Sequence, residues 1–277
     1  MGSPGSPAPP EPAPSASVAP RTGPLAKLQP HVFVVVMENK SYSEAMAEPF
    51  TARLAADNAL ATNYHAVSHP SLPNYLALTS GSTHGITDDA YHVLPDAGIG
   101  RELSEAGVPW RAYMESMGGS CLAGNNVYAI KHDPFAYYGG ACPGNVVSMN
   151  QLSADLATPA QAPHFSWITP NLCHDGHDCS AQVADAFLSE LVGQITTSPT
   201  FRDNGILFIT WDEDDGGGSN RVPLIAVGAR VHAGSSDRQY DHYSLLATME
   251  DLLGVSRLGA AAGAAPLGDL VALPQAA

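Results

Sequence analysis

The chain has 277 residues, with 12 Lys and Arg against 27 Asp and Glu, so its formal net charge is −15. This acidity argues against nucleic-acid binding and against stable membrane association, because binding to either kind of anionic surface depends on clustered Lys and Arg. Hydrophobic residues make up 44% and charged residues 14% of the chain. We therefore expect it to bury a core rather than to be disordered overall.

Residues 1–30 differ from the rest in composition, since they contain nine of the 23 prolines. We interpret them as a disordered Pro/Ala/Ser-rich linker and residues 31–277 as a single domain. The linker holds two cations and one anion, so the domain keeps 10 Lys and Arg against 26 Asp and Glu, a net charge of −16. The N-terminus lacks the apolar segment of a signal peptide. A tether of this composition nevertheless fits a secreted or cell-envelope protein whose signal peptide has been removed.

Hydrophobic periodicity alternates along the rest of the chain. The predicted elements, in chain order, are a strand at 31–37, a helix at 43–58, a helix from Ser71 to a stop at 80–81, strands at 110–113 and 164–168, a helix at 180–195, strands at 205–211 and 222–227, and a helix at 242–253. Buried strands interleaved with helices are typical of an α/β fold with a largely parallel sheet.

Polar residues follow two of these strands directly. Glu38 and Asn39 come after the first strand, and Asp212 and Glu213 come after the strand at 205–211. Parallel strands place such residues at one edge of the sheet, where crowded carboxylates repel one another unless a cation neutralises them. Carboxylate and amide oxygens suit Mg²⁺, Ca²⁺ or Mn²⁺. The alternative for the acidic run is a solvated turn before a Gly-rich loop.

Ser71 begins an apolar helical segment and is followed by Pro73 and Asn74. An ordinary N-cap explains Ser71 and Pro73, but it leaves Asn74 and the preceding His69 unexplained. A helix N-terminus and an amide side chain both stabilise anions. The segment therefore favours Ser71 as a nucleophile that attacks phosphorus.

The loop at 171–179 follows the strand at 164–168 and crowds His174, Asp175 and His177 together. An exposed polar loop accounts for any one of them, but all three at the functional edge of the sheet favour a site. Two further histidines are candidates: His132 follows one of only three lysines, and His242 opens the last helix.

The four cysteines lie in irregular stretches, at 121, 142, 173 and 179. We predict two local disulfides, Cys121 with Cys142 and Cys173 with Cys179, which agrees with an extracytoplasmic location. The sequence allows three pairings, and four reduced thiols in a cytosolic protein are the alternative.

Six segments carry a resemblance to a known family. They are VVVMENKSYS (34–43), SHPSLPNYLALTSG (68–81), KHDPFAYY (131–138), TPNLCHDGHDC (169–179), ITWDEDDGG (209–217) and YDHYSLLATMEDLLG (240–254). In this order they resemble the bacterial phosphoesterase family, which contains acid phosphatases and phospholipase C enzymes within the alkaline phosphatase superfamily. The resemblance implies an alkaline-phosphatase-like three-layer sandwich with a largely parallel central sheet.

The resemblance also implies roles for single residues. A divalent metal ion (Mg, Ca, Mn or Zn) would be held by Glu38, Asn39, Asp212 and Glu213. Ser71 would be the nucleophile, and Asn74 would hold a non-bridging phosphate oxygen. The remaining candidates would either bind a second metal or offer imidazoles to the phosphate; they are His132, His174, Asp175, His177 and His242.

These roles predict metal-dependent hydrolysis of small phosphate esters through a phosphoserine, with soluble phosphomonoesters as substrates of an acid phosphatase. Asp175 and Asp178 stand beside the two imidazoles of the 171–179 loop and favour their protonated form, so we expect an acidic pH optimum and one metal per chain. A metal-bound loop would instead predict alkaline activity. The alternatives are a phospholipase C-type phosphodiesterase and a non-catalytic metal-binding domain. A serine carboxylesterase is disfavoured because Ser71 has no G-x-S-x-G context.

Overall fold

A computed structural model describes residues 29–274, and the predicted linker lies almost entirely outside them. Nine strands form one sheet in these residues. The strands are β1 (His31–Met37), β2 (Ala59–His65), β3 (Trp110–Met114), β4 (Val146–Ser148), β5 (Phe165–Thr169), β6 (Gly205–Trp211), β7 (Arg221–Gly228), β8 (Gly234–Ser236) and β9 (Tyr240–Asp241). Their order is β4-β3-β5-β1-β6-β7-β2-β8, and β9 pairs with β2.

The sheet is largely parallel, as the sequence predicts. Strand β1 runs parallel to both of its neighbours, β5 and β6. Every residue of β1 and β6 is buried, which explains why both read as continuous apolar runs. Strand β7 is antiparallel to both β6 and β2. The carboxyl ends of β1, β5 and β6 therefore meet at one edge of the sheet.

Helices cover both faces of the sheet and complete the predicted three-layer sandwich. They are α1 (Tyr42–Ala45), α2 (Pro49–Asp57), α3 (Ser71–Ser80), α4 (Ile99–Glu105), α5 (Leu152–Asp155), α6 (Ala181–Thr197), α7 (Pro199–Asn204) and α8 (His242–Leu253). Helix α3 packs against α8, and α2 packs against α6. No helix within residues 29–274 has the length and apolar character to cross a bilayer.

The single helix predicted at 43–58 is wrong, because the structure forms two helices there. Helix α1 ends at Ala45, and α2 starts at Pro49. Proline has no N–H for the helical ladder and is therefore suited to the first position of a new helix. The helical segment after β1 is therefore interrupted between Ala45 and Pro49.

The start of α3 also differs in one respect from the prediction. Pro70 occupies the N-cap position and Ser71 is the first helical residue, so the Ser71 hydroxyl does not cap the helix. The predicted stop is confirmed, since α3 ends at Gly81 with φ +69°. A Cβ at Gly81 would collide with the Leu258 carbonyl, which adds a packing reason for glycine to its conformational one. The hydroxyl of Ser71 is thereby free for other contacts.

Both predicted disulfides are confirmed. Cys121 is bonded to Cys142, and Cys173 is bonded to Cys179.

Candidate active site

The topology brings three acidic residues together at the carboxyl edge of the sheet. Glu38 follows β1, Asp212 follows β6, and Asp175 lies in the loop after β5. The backbone fixes their relative positions: the N–H of Glu38 donates to the Asp175 carbonyl at 2.9 Å, and the N–H of Asp212 donates to the Met37 carbonyl at 2.9 Å. All three side chains are fully buried.

Ser71 lies directly against this cluster. Its Oγ donates a hydrogen bond to Glu38 Oε2 at 3.2 Å, and the Tyr75 hydroxyl donates to Glu38 Oε1 at 2.6 Å. Ser71 and Tyr75 are four residues apart on α3 and therefore share one face of the helix. Glu38 is held by both hydroxyls, and the Ser71 oxygen is oriented toward the carboxylate.

The carboxyl groups of the cluster lie in an electrostatically unfavourable environment. Burial, followed by the charges of Asp212 and Asp175, raises the pKa of Glu38 well above its ordinary value. Burial and Glu213 do the same to the pKa of Asp212. Burial raises the pKa of Asp175 and that of Glu213 to about 7 each. A positive charge in the pocket would allow these groups to ionise together.

His132 is buried between two of these acids. Its Nε2 lies 3.1 Å from Glu38 Oε1, its Nδ1 lies 3.1 Å from Asp175 Oδ2, and its ring stacks on Tyr75. Burial, with the nearby charges of Lys131 and His177, lowers the pKa of His132 well below the ordinary histidine value. The imidazole is therefore held neutral, which is the form that binds metals.

The pocket fits a divalent cation. Within the described part of the chain, the buried atoms His132 Nε2, Asp175 Oδ2 and Asp212 Oδ2 make no hydrogen bond of suitable geometry, even where a neighbouring group lies 3.1 Å away. That state is costly unless an ion or water satisfies these atoms. Glu38, His132 and His177 offer ligand atoms that all lie within 4.8 Å of one another. This set shares only Glu38 with the oxygen ligands predicted from the sequence.

The other three predicted oxygen ligands, Asn39, Asp212 and Glu213, do not all lie in the cluster around Glu38. Asn39, with φ +53°, donates its backbone N–H to Asp212 Oδ1 at 3.2 Å. Glu213 turns toward the segment before α3, where its Oε2 lies 2.9 Å from His69 Nδ1 and 3.3 Å from Asn74 Nδ2. Asp212 and Asn39 are thus part of the cluster around Glu38, while Glu213 has polar partners at its rim.

Asn74 is engaged with the backbone that leads into α3. Its Oδ1 accepts hydrogen bonds from the N–H groups of Val67 and Ser68 at 3.0 Å each, and its Nδ2 donates to the Ser68 carbonyl at 2.9 Å. These contacts fix the segment that precedes Ser71. The role of Asn74 as a phosphate ligand stays a prediction.

His177 reaches the pocket through Lys131. The Lys131 Nζ donates to Asp89 Oδ2 at 2.9 Å and lies 3.2 Å from His177 Nε2 and 3.4 Å from Ser71 Oγ. Burial alone would lower the pKa of Lys131, but the hydrogen bond to Asp89 and the charge of Glu38 raise it above its ordinary value. A lysine ammonium thus lies beside the candidate nucleophile.

Two of the predicted histidines do not join this group. His174 Nδ1 lies 2.8 Å from Glu115 Oε1, and its ring stacks on Phe187 of α6. His242 is buried behind the site, with Nδ1 bonded to the Tyr64 hydroxyl at 2.8 Å and Nε2 at 2.6 Å from the Asp212 carbonyl. Burial lowers the pKa of His242 to about 4. In this structure His242 supports the backbone of Asp212.

Three residues near Ser71 were not among the sequence candidates: Tyr75, Asp89 and Lys131. The four-residue spacing from Ser71 could have indicated Tyr75, and the scarcity of lysine could have singled out Lys131 beside His132. Asp89 lies in an irregular segment with no periodic signal. Its Oδ1 accepts the N–H of Leu72 at 3.0 Å, in the first turn of α3.

Comparison with known proteins shows the family to which this chain belongs. Residues 42–256 match the Phosphoesterase family. The chain is 34% identical over 250 residues to a phosphatidylinositol-3-phosphatase of Mycobacterium tuberculosis, covering 87% of this chain and 82% of that protein. It is 28% identical to a probable acid phosphatase of Kluyveromyces lactis and to a phosphate-repressible acid phosphatase of Penicillium chrysogenum. The chain spans 62% and 58% of those two fungal proteins and 87% and 80% of its own length.

Solved structures share the fold at low sequence identity. A protein of the alkaline phosphatase superfamily from Vibrio parahaemolyticus has a TM-score of 0.60 at 14% identity, covering 83% of this chain and 67% of that one. Murine ectonucleotide pyrophosphatase/phosphodiesterase 5 has a TM-score of 0.57 at 11% identity, covering 83% of this chain and 96% of that one. With its alkaline-phosphatase-type fold, this chain is a phosphate ester hydrolase that belongs to the Phosphoesterase family.

Proposed function

We propose that this protein is a metal-dependent acid phosphatase that hydrolyses soluble phosphomonoesters through a phosphoserine at Ser71. The observation that carries the proposal is the hydrogen bond from the buried Ser71 hydroxyl to Glu38, at the edge of a carboxylate cluster that needs positive charge. A serine at the first turn of a helix, beside such a cluster, combines a nucleophile with an anion-stabilising environment. Several relatives are named acid phosphatases, which agrees with this reaction.

Glu38 is common to both sets of residues that could hold the metal. The oxygen set adds Asn39, Asp212 and Glu213, and would suit Mg²⁺, Ca²⁺ or Mn²⁺. The mixed set adds His132 and His177 and would suit Zn²⁺. A divalent ion there would lower the pKa of the Ser71 hydroxyl and stabilise negative charge on the phosphoryl group.

The residues of the chain can carry out the two steps of the reaction. Ser71 Oγ gives its proton to Glu38, which already accepts its hydrogen bond, and attacks phosphorus, so that a Ser71 Oγ–P bond forms while the ester P–O bond breaks. We assign His177 to protonate the departing alcohol, because His177 Nε2 and Ser71 Oγ both lie within 3.4 Å of Lys131 Nζ and Asp178 holds the His177 Nδ1 at 2.7 Å. Water then hydrolyses the phosphoserine and restores the hydroxyl. Asn74 supports both steps by fixing the segment before Ser71.

The proposal includes an acidic pH optimum. The leaving alcohol needs a proton from an acid in the site, so activity should fall as the solution becomes alkaline. A metal-bound His177 must be neutral, and activity would then persist above neutrality. A pH–rate profile and elemental analysis decide between these cases. One metal with an acidic optimum supports the proposal, and two metals with an alkaline optimum contradict it.

The substrate class has two further candidates. The relative that is named a phosphatidylinositol-3-phosphatase favours a phosphoinositide headgroup, which is also a phosphomonoester. A phospholipase C-type diesterase is the other, although the net negative charge of the chain disfavours docking on an anionic membrane. The two disulfides favour an oxidising compartment, so we propose a secreted or cell-envelope location.

A substrate screen with and without EDTA tests the proposal. The substrates are p-nitrophenyl phosphate, bis(p-nitrophenyl) phosphate, soluble dibutanoyl phosphatidylinositol 3-phosphate and phosphatidylcholine vesicles. We expect the monoesters to be hydrolysed fastest, EDTA to abolish activity, and added divalent metal to restore it. Preference for phosphatidylcholine would contradict the phosphatase assignment. Metal binding without any turnover would support a non-catalytic metal-binding domain.

A further inference from the structure

Lys131 brings a positive charge into a pocket that is lined mainly by acids. Its side chain is 19% exposed. Its Nζ lies 3.4 Å from Ser71 Oγ, the atom that would receive the phosphoryl group. An ammonium has three N–H donors. Asp89 accepts one at 2.9 Å, Ser71 Oγ accepts another at 3.4 Å, and His177 Nε2 lies 3.2 Å from Nζ. The N–H that makes the long contact to Ser71 Oγ is placed to turn to an oxygen of a group bound at that atom.

We propose that Lys131 binds a non-bridging oxygen of the phosphoryl group while Ser71 attacks it. This inference rests on the proposed function of Ser71. The non-bridging oxygens lie one bond beyond the phosphorus that Ser71 Oγ approaches, so an ammonium this close to Oγ can reach one of them. Charge aimed at these oxygens stabilises the transition state in a pocket shielded from water.

The position of Lys131 also gives it a role that differs from that of a metal ligand: it supplies positive charge to the phosphoryl group directly. Its ammonium faces His177 Nε2, on an imidazole that could otherwise bind an ion. Two-metal hydrolases use the second ion to neutralise charge on the transferred group. Lys131 supplies a fixed positive charge at this position instead. A dianionic monoester should depend on it more than a monoanionic diester does.

A purely structural role for Lys131 makes a different prediction. Asp89 accepts both the Leu72 N–H at 3.0 Å and the Lys131 ammonium, so the ion pair could serve only to anchor Asp89 at the start of α3. Removing either partner would then have the same effect. If Lys131 acts on the phosphoryl group, removing Lys131 must cost far more than removing the charge of Asp89.

The experiment compares Lys131→Met, Lys131→Arg and Asp89→Asn with the wild-type protein on p-nitrophenyl phosphate and bis(p-nitrophenyl) phosphate. Asparagine at position 89 keeps an acceptor for Leu72. We expect Lys131→Met to lower kcat/KM for the monoester by about 10²-fold or more, the usual cost of losing one transition-state donor, and to lower diester hydrolysis less. We expect Asp89→Asn to stay within about 5-fold of wild type, the usual net cost of one lost hydrogen bond, because Lys131 keeps its charge beside Ser71.

Inhibition by inorganic phosphate adds a binding measurement. Lys131→Met should raise the inhibition constant about 10-fold or more, the loss expected for one charged contact, whereas Lys131→Arg should keep inhibition and the preference for the monoester. Arg111→Met is the matched control, because Arg111 pairs with Asp155, outside the site. It should leave both readouts unchanged.

Each failure is distinguishable. If the wild-type protein hydrolyses neither ester, the proposed function fails. If the wild type is active and Ser71→Ala is inactive, equal losses in Lys131→Met and Asp89→Asn overturn only the role of Lys131, as does a loss of equal size on both esters. Should Lys131→Met fail to fold by near-ultraviolet circular dichroism, Lys131→Arg decides: a folded arginine variant without phosphate inhibition overturns the inference.

Discussion

Two disulfide-closed loops supply residues to the same pocket, but they are built differently. The long loop between Cys121 and Cys142 carries Lys131 and His132, and it has its own ordered turns at 130–132 and 134–136. Its Phe135, Ala136 and Tyr137 side chains are buried in the core. The short loop between Cys173 and Cys179 carries Asp175 and His177, and it contains no helix or strand.

The short loop takes its shape from polar turns. Asn171 Oδ1 accepts the N–H groups of Cys173 and His174, and Asp175 Oδ1 accepts the N–H of His177 at 2.7 Å. The long loop is therefore held by packing, while the short loop is held by side chain to backbone hydrogen bonds and its disulfide. We therefore expect the two bridges to affect stability and activity unequally.

The largest loss of activity is expected from replacing Ser71, which contacts Lys131 of the long loop and, through it, lies near His177 of the short loop. Ser71→Ala should lower kcat by about 10³-fold or more, because nothing replaces the nucleophile. Its hydroxyl does not cap α3 but donates to Glu38, so the melting temperature should fall only by what one lost hydrogen bond costs. Steady-state kinetics and a thermal melt measure both quantities. Activity within a few-fold of wild type would show that the loops surround some other nucleophile.

The second prediction separates two histidines of the short loop. His177→Ala should lower kcat/KM on β-glycerophosphate by about 10²-fold, since an alkoxide leaving group needs a proton. The loss on p-nitrophenyl phosphate should be much smaller, because p-nitrophenolate leaves without one. His174→Ala is the control, since His174 pairs with Glu115, and it should lose less than about 3-fold, as expected outside the reacting centre. Equal losses on the two substrates would remove His177 as the acid.

That contrast also shows where sequence reasoning stops. The bounds of β1, β6 and α8 follow from apolar runs and their caps, and parallel strands place Glu38 and Asp212 at one edge. His174 and His177 cannot be separated in this way, because the distinction depends on Phe187 and Lys131, which are close only in the folded chain.

The direction of a strand also cannot be predicted from its own sequence. The apolar run of β7 has the same composition whichever way it runs, and its antiparallel pairing depends on the connections around it. Strand β2 was missed because its sequence, ALATNYH, mixes small and polar residues. Asp89 was missed because an irregular segment gives no signal of the helix that it will contact.

The third prediction compares the two bridges directly. Replacing Cys173 and Cys179 by serine should lower activity about 10-fold, because His177 is then held less firmly in the site. The same replacement should lower the free energy of unfolding by about 2 kcal/mol, because this bridge closes a short loop. Replacing Cys121 and Cys142 should cost about 3 kcal/mol, because its loop is longer, with a smaller effect on activity. Denaturant melts and kcat/KM on β-glycerophosphate, whose leaving group needs the proton from His177, provide the two measurements. The reverse pattern would mean that packing, rather than the bridge, holds the short loop.

The smallest effect concerns pH and a carboxyl group outside both loops. Glu250 on α8 is fully buried, its Oε1 accepts the Leu258 N–H at 2.9 Å, and burial raises its pKa from 4.5 to about 8. Between these two values the folded chain keeps a proton that the unfolded chain has released. The free energy of unfolding should therefore fall as pH rises through this range, by a few kcal/mol at most.

Glu250→Gln removes this ionisation and keeps an acceptor for Leu258. Its melting temperature should exceed that of the wild type at pH 9 and should be similar at pH 5, while kcat at acidic pH stays unchanged because Glu250 lies outside the catalytic cluster. Thermal melts of both proteins from pH 4 to pH 9 measure the difference. A constant offset across that range would show that Glu250 does not cause the pH dependence. The Glu250→Gln protein is also a control for any loss of activity at alkaline pH. If its fold stays intact and it loses activity in parallel with the wild type, the loss arises in the active site and not from unfolding.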